Sequence, residues 1–195
     1  MAYEGARDLR AQVIDQQLIT YLMDAHAVEE QALGLLRRAR RAGANRELSA
    51  VYEEHLGRAE LHRRLLEERL HSHNARPSAV KDAAMRLGAV NWSMIFQAHP
   101  VTPARATALM FALTHLKIAG YDLLRSIATR AADRATVELT DRLLAEERAT
   151  AVRLSASFDD AVEASLDAPE PPGNAFGDPR RTPALGAERA PLGSV

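Results

Sequence analysis

Two carboxylates lie at positions where the sequence otherwise predicts the apolar face of a helix. Glu147 falls between Leu144 and Ala151. Glu29 interrupts a line of apolar residues at three- and four-residue spacing, which comprises Leu18, Leu22, Ala25, Ala32 and Leu36. A buried carboxylate is costly unless it is paired with a cation or bound to a metal ion. These two positions are therefore the first candidates for chemistry.

Histidines occur on the same kind of inward line. His55 and His62 are seven residues apart in one segment, and His115 lies in a later apolar segment, THLKIAGYD, residues 114–122. Carboxylates and imidazoles together suit iron, manganese or zinc. The alternative is that each histidine is hydrogen-bonded within the core and binds no metal.

Four long helices are needed to bring these residues together. The apolar spacing predicts helices over about 9–41, 45–72, 103–131 and 133–166. Asn45, Thr102 followed by Pro103, and Asp133 have the side chains that begin helices. We expect the third helix to bury Ala108, Phe111, Ile118 and Ala119, and the fourth to bury Val137, Leu144, Ala151, Leu154 and Phe158.

The connections between the helices predict the topology. A short link joins the first two helices, whereas about thirty residues with Pro77 and Pro100 separate the second from the third. Two antiparallel pairs joined by one long crossover form an all-α four-helix bundle. We predict this bundle for residues 1–166. Residues 167–195 are rich in proline and glycine, and we predict a disordered tail there.

The composition excludes several classes of function. The formal net charge is -1, with no basic region to attract nucleic acid or a membrane surface. Cysteine is absent, which excludes disulfides, iron–sulfur clusters and thiolate metal sites. No signal peptide or run of ~20 apolar residues is present, so we expect a cytoplasmic protein.

Five segments of the chain resemble the YciE/YciF-type ferritin-like family. They are YLMDAHAVEEQALGLL, YEEHLGRAELHRRLLEERL, KDAAMRLGAVNW, HLKIAGYDLL and LLAEERATAVRL, and the likeness covers about residues 15–166. The resemblance implies a ferritin-like bundle with a central dinuclear metal site, a role often linked to stress responses, and an unsettled biochemistry. The family's helix 1 glutamate, helix 2 histidine and helix 4 glutamate match Glu29, His62 and Glu147.

The sequence departs from the family pattern at other positions of that site. A family segment similar to His-Leu-Glu-Glu-Thr reads His55-Leu56-Gly57-Arg58-Ala59 here, and Glu-His-(Tyr or Leu)-Glu-Ile-Ala reads Thr114-His115-Leu116-Lys117-Ile118-Ala119. Arg58 and Lys117 either pair with Glu29 and Glu147 in place of metal, or extend their charged ends to solvent. A dinuclear centre needs about four carboxylates, so we expect a degenerate site.

The sequence therefore supports two hypotheses about function. The first is a structural or interaction module, associated with stress, which forms a homodimer through an exposed apolar helix face. The second is a metalloprotein that binds a single iron, manganese or zinc ion through Glu29, His62, His115 and Glu147 and performs slow redox chemistry. We assign no catalytic residues, and enzyme activity stays undecided. The tail, which ends in RAPLGSV, is a candidate docking peptide for a protein partner.

Overall fold

A computed structural model describes residues 2–40, 45–77 and 102–167. Within these ranges the chain forms five helices and no strands: α1 (Ala2–Ala39), α2 (Arg46–Ser72), α3 (Pro103–Arg130), α4 (Arg134–Ala156) and α5 (Phe158–Leu166). The predicted all-α class is confirmed. The middle of the crossover and the C-terminal tail lie outside the described residues, as does the proposed docking peptide.

Local capping explains where three of the helices begin. Asn45 Oδ1 accepts a hydrogen bond from the Leu48 amide at 2.9 Å, and Asp133 Oδ1 accepts one from the Thr136 amide at 3.1 Å. Thr102 Oγ1 caps α3 in the same way, and Pro103 is the first residue of that helix. Each cap satisfies an amide that has no partner inside its helix. The three predicted caps are therefore confirmed.

The helices pack as a bundle with a divided core. α1 contacts α2 and α3, and α3 contacts α4. One apolar cluster contains Leu36, Tyr52, Met110 and Leu154, and the other contains Leu22, Leu66, Leu124 and Leu144. On each long helix the residues between these clusters include a buried polar or charged side chain. The core thus consists of two apolar halves with a polar layer between them.

The inner face of α3 differs from the prediction. Ala108 and Ala119 are exposed, and Phe111 and Ile118 are half-buried. The buried line instead comprises Ala106, Met110, Thr114, Lys117, Tyr121, Leu124 and Ala128. Because α3 carries apolar residues on nearly every side, hydrophobicity alone could not identify the face that points inward.

Two helix ends also differ from the prediction. α1 begins at Ala2, well before the expected start, and its residues become buried only from Leu18 onward. The fourth predicted helix is divided at Ser157, whose hydroxyl donates to the Leu154 carbonyl at 2.9 Å. The short α5 that follows packs against α3. None of the described helices has the length and apolarity needed to cross a bilayer.

Candidate metal centre

The polar layer brings together one or two side chains from each of the four long helices. α1 contributes Glu29, α2 contributes His62, α3 contributes Lys117 and Tyr121, and α4 contributes Glu147. All five residues are at most 2% exposed. Since apolar clusters lie on both sides of them, water does not screen their charges effectively, and their mutual contacts determine their energies.

Lys117 lies between the two carboxylates. Its Nζ is 2.5 Å from Glu147 Oε1 and 3.0 Å from Glu29 Oε1. Burial by itself lowers the pKa of Lys117, but the charges of Glu29 and Glu147 outweigh burial and raise it above its ordinary value. Lys117 is therefore a buried cation paired with both glutamates, and it does not extend to solvent.

His62 provides a second positive charge. Its Nδ1 is 3.4 Å from Glu29 Oε1 and 3.3 Å from Glu147 Oε1, although neither contact has good hydrogen-bond geometry. Its Nε2 is 2.7 Å from Glu146 Oε2 on the outer side. Burial lowers the pKa of His62, but Glu147 and Glu29 outweigh burial and raise this pKa to about 9. At neutral pH both ring nitrogens therefore carry protons.

Tyr121 completes the layer, and the sequence interpretation did not include it. Its hydroxyl donates a short hydrogen bond to Glu29 Oε1. Burial, followed by the charge of Glu29, raises the pKa of Tyr121 well above its ordinary value, so the phenol stays protonated. Tyr121 lies four residues after Lys117, and residues four apart share a helix face. This spacing could have indicated that Tyr121 faces the same site as Lys117.

The layer contains two cations beside its two inner carboxyl groups. Glu147 is ionised, since burial raises the pKa of this carboxyl but Lys117 and His62 outweigh burial and lower it to about 2. Glu29 and Glu147 together face one ammonium and one imidazolium. Cations that belong to the protein therefore face both inner glutamates without a metal ion.

His115 does not belong to this layer. It is exposed, its Nδ1 donates to the Phe111 carbonyl at 2.9 Å, and its ring lies 4.3 Å from the Phe111 ring. The placement of His115 on the inner line is therefore wrong. Residues two apart on a helix are about 200° apart around its axis, so His115 cannot face inward when Lys117 does.

Arg58 also lies outside the layer. It forms an ion pair with Glu54 and donates to Thr150 Oγ1 at 2.7 Å. Glu54 in turn binds Arg153 at 2.7 Å, so these residues connect α2 to α4 at the surface. Of the two alternatives for Arg58, pairing with Glu29 and Glu147 is wrong, and its charged end instead lies toward the surface. Lys117 is the residue that contacts both glutamates.

His55 is buried, as predicted, but it forms no hydrogen bond with Glu29 or Glu147. Burial, together with the charge of Lys117, lowers the pKa of His55 to about 4, so the ring is neutral at pH 7. Within the described part of the chain neither of its ring nitrogens has a hydrogen-bond partner. The same holds for Thr114 Oγ1 and for the second oxygens of Glu29 and Glu147.

The layer fits one metal ion better than two. Ligand atoms of Glu29, His62 and Glu147 lie within 4.8 Å of one another, and Glu146 holds the other nitrogen of His62, as is common for metal-bound histidines. A dinuclear centre does not fit, because the set offers only two inner carboxylates and already contains Lys117. A single ion would have to displace the ammonium.

Known proteins share this fold along most of the chain. The family described as "Domain of unknown function (DUF892)" matches residues 13–167. The crystal structure of the Escherichia coli stress protein YciF is similar with 24% identity and a TM-score of 0.65, over 77% of this chain and 97% of that one. Protein XCC3681 from Xanthomonas campestris pv. campestris is similar with 22% identity and a TM-score of 0.63, over 79% of this chain and 96% of that one.

No functionally curated protein matches this chain. The family match covers well over half of the residues, and the two solved structures have the same helical architecture. The polar layer lies inside the matched region. The chain therefore belongs to the DUF892 family, whose biochemical function is unknown, and it has the ferritin-like fold of the YciF type.

Proposed function

We propose that this chain is a structural module in which the Lys117 ammonium occupies the position of metal ions. The observation that carries the proposal is the contact of Lys117 Nζ with both Glu29 Oε1 and Glu147 Oε1. A divalent ion bound between these carboxylates would meet the repulsion of a cation in a site of low dielectric.

The two cations of the layer also support a role without metal. Lys117 contacts both Glu29 and Glu147, and His62 lies beside both, so protein cations already occupy the surroundings of the two buried carboxyl groups. Each of the four long helices supplies a member of this set. The layer therefore joins the whole bundle, as a structural metal would.

A metal-content measurement tests the proposal. The full chain is purified without chelator from cells grown with iron, manganese and zinc, and its metals are measured by elemental mass spectrometry. We expect far less than one ion per chain. About one ion per chain in the unchanged protein, lost in Glu29→Ala, would overturn the proposal.

Lys117→Ala sharpens this experiment. Removal of the ammonium leaves Glu29, His62 and Glu147 with their ligand atoms close together, so we expect this variant to bind about one zinc or manganese ion per chain. Arg125→Ala, which removes an exposed cation from the same helix, is the matched control and should bind none. Failure of Lys117→Ala to bind metal would contradict the view that the ammonium is the obstacle.

The second candidate is a metalloprotein with a single transition ion. The close set of Glu29, His62 and Glu147, with Glu146 behind His62, favours it. Such an ion would supply slow redox chemistry with dioxygen or peroxide, while Tyr121 holds Glu29 in place. Metal in the unchanged protein would select this candidate, and peroxide consumption lost in Glu147→Ala would then support it.

A setting in stress responses is part of the proposal. The similar YciF is described as a stress protein of E. coli. For this chain, a deletion strain with unchanged survival under osmotic, oxidative and heat stress would remove that part and leave the structural proposal intact.

A further inference from the structure

We propose that about two buried water molecules bind between His55 and the two inner glutamates and join the four long helices. The site, here called the water site, consists of the His55 ring, the Thr114 hydroxyl and the second carboxyl oxygens, Oε2, of Glu29 and Glu147. Each of the four long helices supplies one of these groups. The inference goes beyond the role of Lys117 and does not depend on it.

The polar atoms of the water site are buried without a protein partner. His55 is 3% exposed, and Thr114, Glu29 and Glu147 are fully buried. Among the described residues, no hydrogen bond reaches either ring nitrogen of His55, the Thr114 hydroxyl or the two Oε2 atoms. Buried polar groups are costly unless they are hydrogen-bonded. These five atoms in one part of the core therefore indicate a bound ligand.

The hydroxyl of Thr114 does not bond to its own helix. Thr107, Thr140 and Thr150 are also buried, and each donates to the carbonyl oxygen four residues earlier, at 2.8–2.9 Å. Threonines in helices commonly satisfy their hydroxyls in this way. Thr114 makes no such bond to Met110. Its hydroxyl is therefore directed to a different partner in the core.

Small side chains beside the polar layer provide room for water. One turn from the layer, toward the cluster that contains Tyr52, the four long helices carry only small buried residues: Ala32, Ala59, Thr114 and Ala151. On the other side of the layer the corresponding positions are mostly larger: Ala25, Leu66, Tyr121 and Leu144. Buried water requires a site that is both polar and large enough. The side of the layer that faces His55 meets both conditions.

His55 makes no direct bond to the glutamates, although it lies near them. It is not part of the set of Glu29, His62 and Glu147 whose ligand atoms lie within 4.8 Å of one another. Burial and the charge of Lys117 lower the pKa of His55, while the charges of Glu147 and Glu29 act in the opposite direction, so these groups are within electrostatic reach. One water with two hydrogen bonds of ~2.8 Å spans up to ~5.6 Å. A bridging water therefore suits this separation.

The donors and acceptors of the site match neutral water better than an ion. The carboxylate oxygens accept hydrogen bonds only, whereas neutral His55 and Thr114 each offer a donor and an acceptor. The ligand must therefore both donate and accept. Lys117 would repel a cation, and the glutamates would repel an anion. Since a buried water makes ~3 hydrogen bonds, about two waters satisfy the five atoms.

A high-resolution crystal structure of the full chain tests the proposal directly. We expect water between His55, Thr114 and the glutamates, with each molecule within ~3.2 Å of at least two of the five atoms. Direct hydrogen bonds from His55 to either glutamate would overturn the proposal. So would a metal ion at this position, or a site without any ordered water.

Thermal unfolding of two Thr114 variants gives a test by sign. Thr114→Val keeps the shape of the side chain but removes the hydroxyl, so loss of a bound water should lower the melting temperature by ~1–6 °C. Thr114→Ser keeps the hydroxyl and should keep the water. If the hydroxyl has no ligand, valine removes an unsatisfied group and raises the melting temperature. A higher melting temperature for Thr114→Val would therefore refute the proposal.

Magnetic relaxation dispersion of water oxygen counts long-lived internal waters in solution. The unchanged chain should contain about two more of them than the double variant His55→Leu/Thr114→Val. Thr140→Val is the matched control, because the hydroxyl of this buried threonine bonds to its own helix, and its count should equal that of the unchanged chain. Thr114→Ser should also keep the full count. Equal counts in the unchanged chain and the double variant would contradict the assignment.

Discussion

Replacement of Lys117 by methionine tests the central interaction of the fold most directly. Methionine keeps the length and apolar volume of the side chain but removes the ammonium that contacts Glu29 and Glu147. Only the imidazolium of His62 then faces the two carboxylates. Removal of one partner from a buried ion pair costs ~3–5 kcal/mol, because the remaining charge is buried without compensation.

The expected change in stability is large enough to measure easily. For a domain of this size, 1 kcal/mol shifts the melting temperature by ~2–4 °C, so Lys117→Met should melt ~6–20 °C lower. Circular dichroism during heating and in urea gives both the melting temperature and the free energy of unfolding. The measurement should be made in the presence of chelator, because bound metal would stabilise the variant.

Two companion variants make the result specific. Arg125→Met removes an exposed cation from the same helix and should change stability by ~0–1 kcal/mol. Addition of Glu147→Gln to Lys117→Met should recover part of the loss, because the unpaired charge is then removed. If Lys117→Met is no more destabilising than Arg125→Met, the buried pair does not stabilise the bundle and the reasoning fails.

Three further predictions concern the same bundle. The pKa of His62 is raised from 6.5 to about 9 in the fold, so the stability that its protonation contributes is complete below pH 6.5 and is lost as pH rises to 9. Urea unfolding at a series of pH values should show a loss of about 3 kcal/mol, and His62→Gln should abolish this loss. Tyr121→Phe removes the donor to Glu29 and should cost ~1–3 kcal/mol in the same assay, whereas Tyr21→Phe should cost much less. Asp133→Ala removes the cap of α4 and the partner of Arg69 at 2.8 Å, and should cost ~1–2 kcal/mol in thermal unfolding. Unchanged stability of this variant would contradict the capping role.

Local chemistry made parts of this structure predictable from sequence. Asn45, Thr102 and Asp133 satisfy backbone amides only three residues away, so their role depends on nearby residues alone. Glu29 and Glu147 interrupt helices with a clear apolar side, and this contrast located them in the core.

The geometry across the bundle was less accessible from sequence. α3 lacks a clear polar side, so its rotation was decided by packing against α1 and α4, and His115 was placed on the wrong face. The choice of Lys117 over Arg58 as the partner of the glutamates depended on positions in three dimensions. Arg58 lies on a side of α2 from which its guanidinium reaches both Glu54 and solvent. Sequence spacing does not contain that information.

The polar layer between the apolar clusters also specifies how the helices align lengthwise. Without this layer, the apolar clusters alone would allow one helix to slide past its neighbours by a turn, because leucine and alanine recur along the buried side of each helix. A slide of ~5.4 Å would separate Lys117 from Glu29 and Glu147 and leave ions facing leucine. Misaligned bundles are therefore strongly disfavoured, whereas in the aligned bundle Lys117 meets both glutamates. Lys117 thus aligns α3 with α1 and α4, and His62 aligns α2 with the same two glutamates.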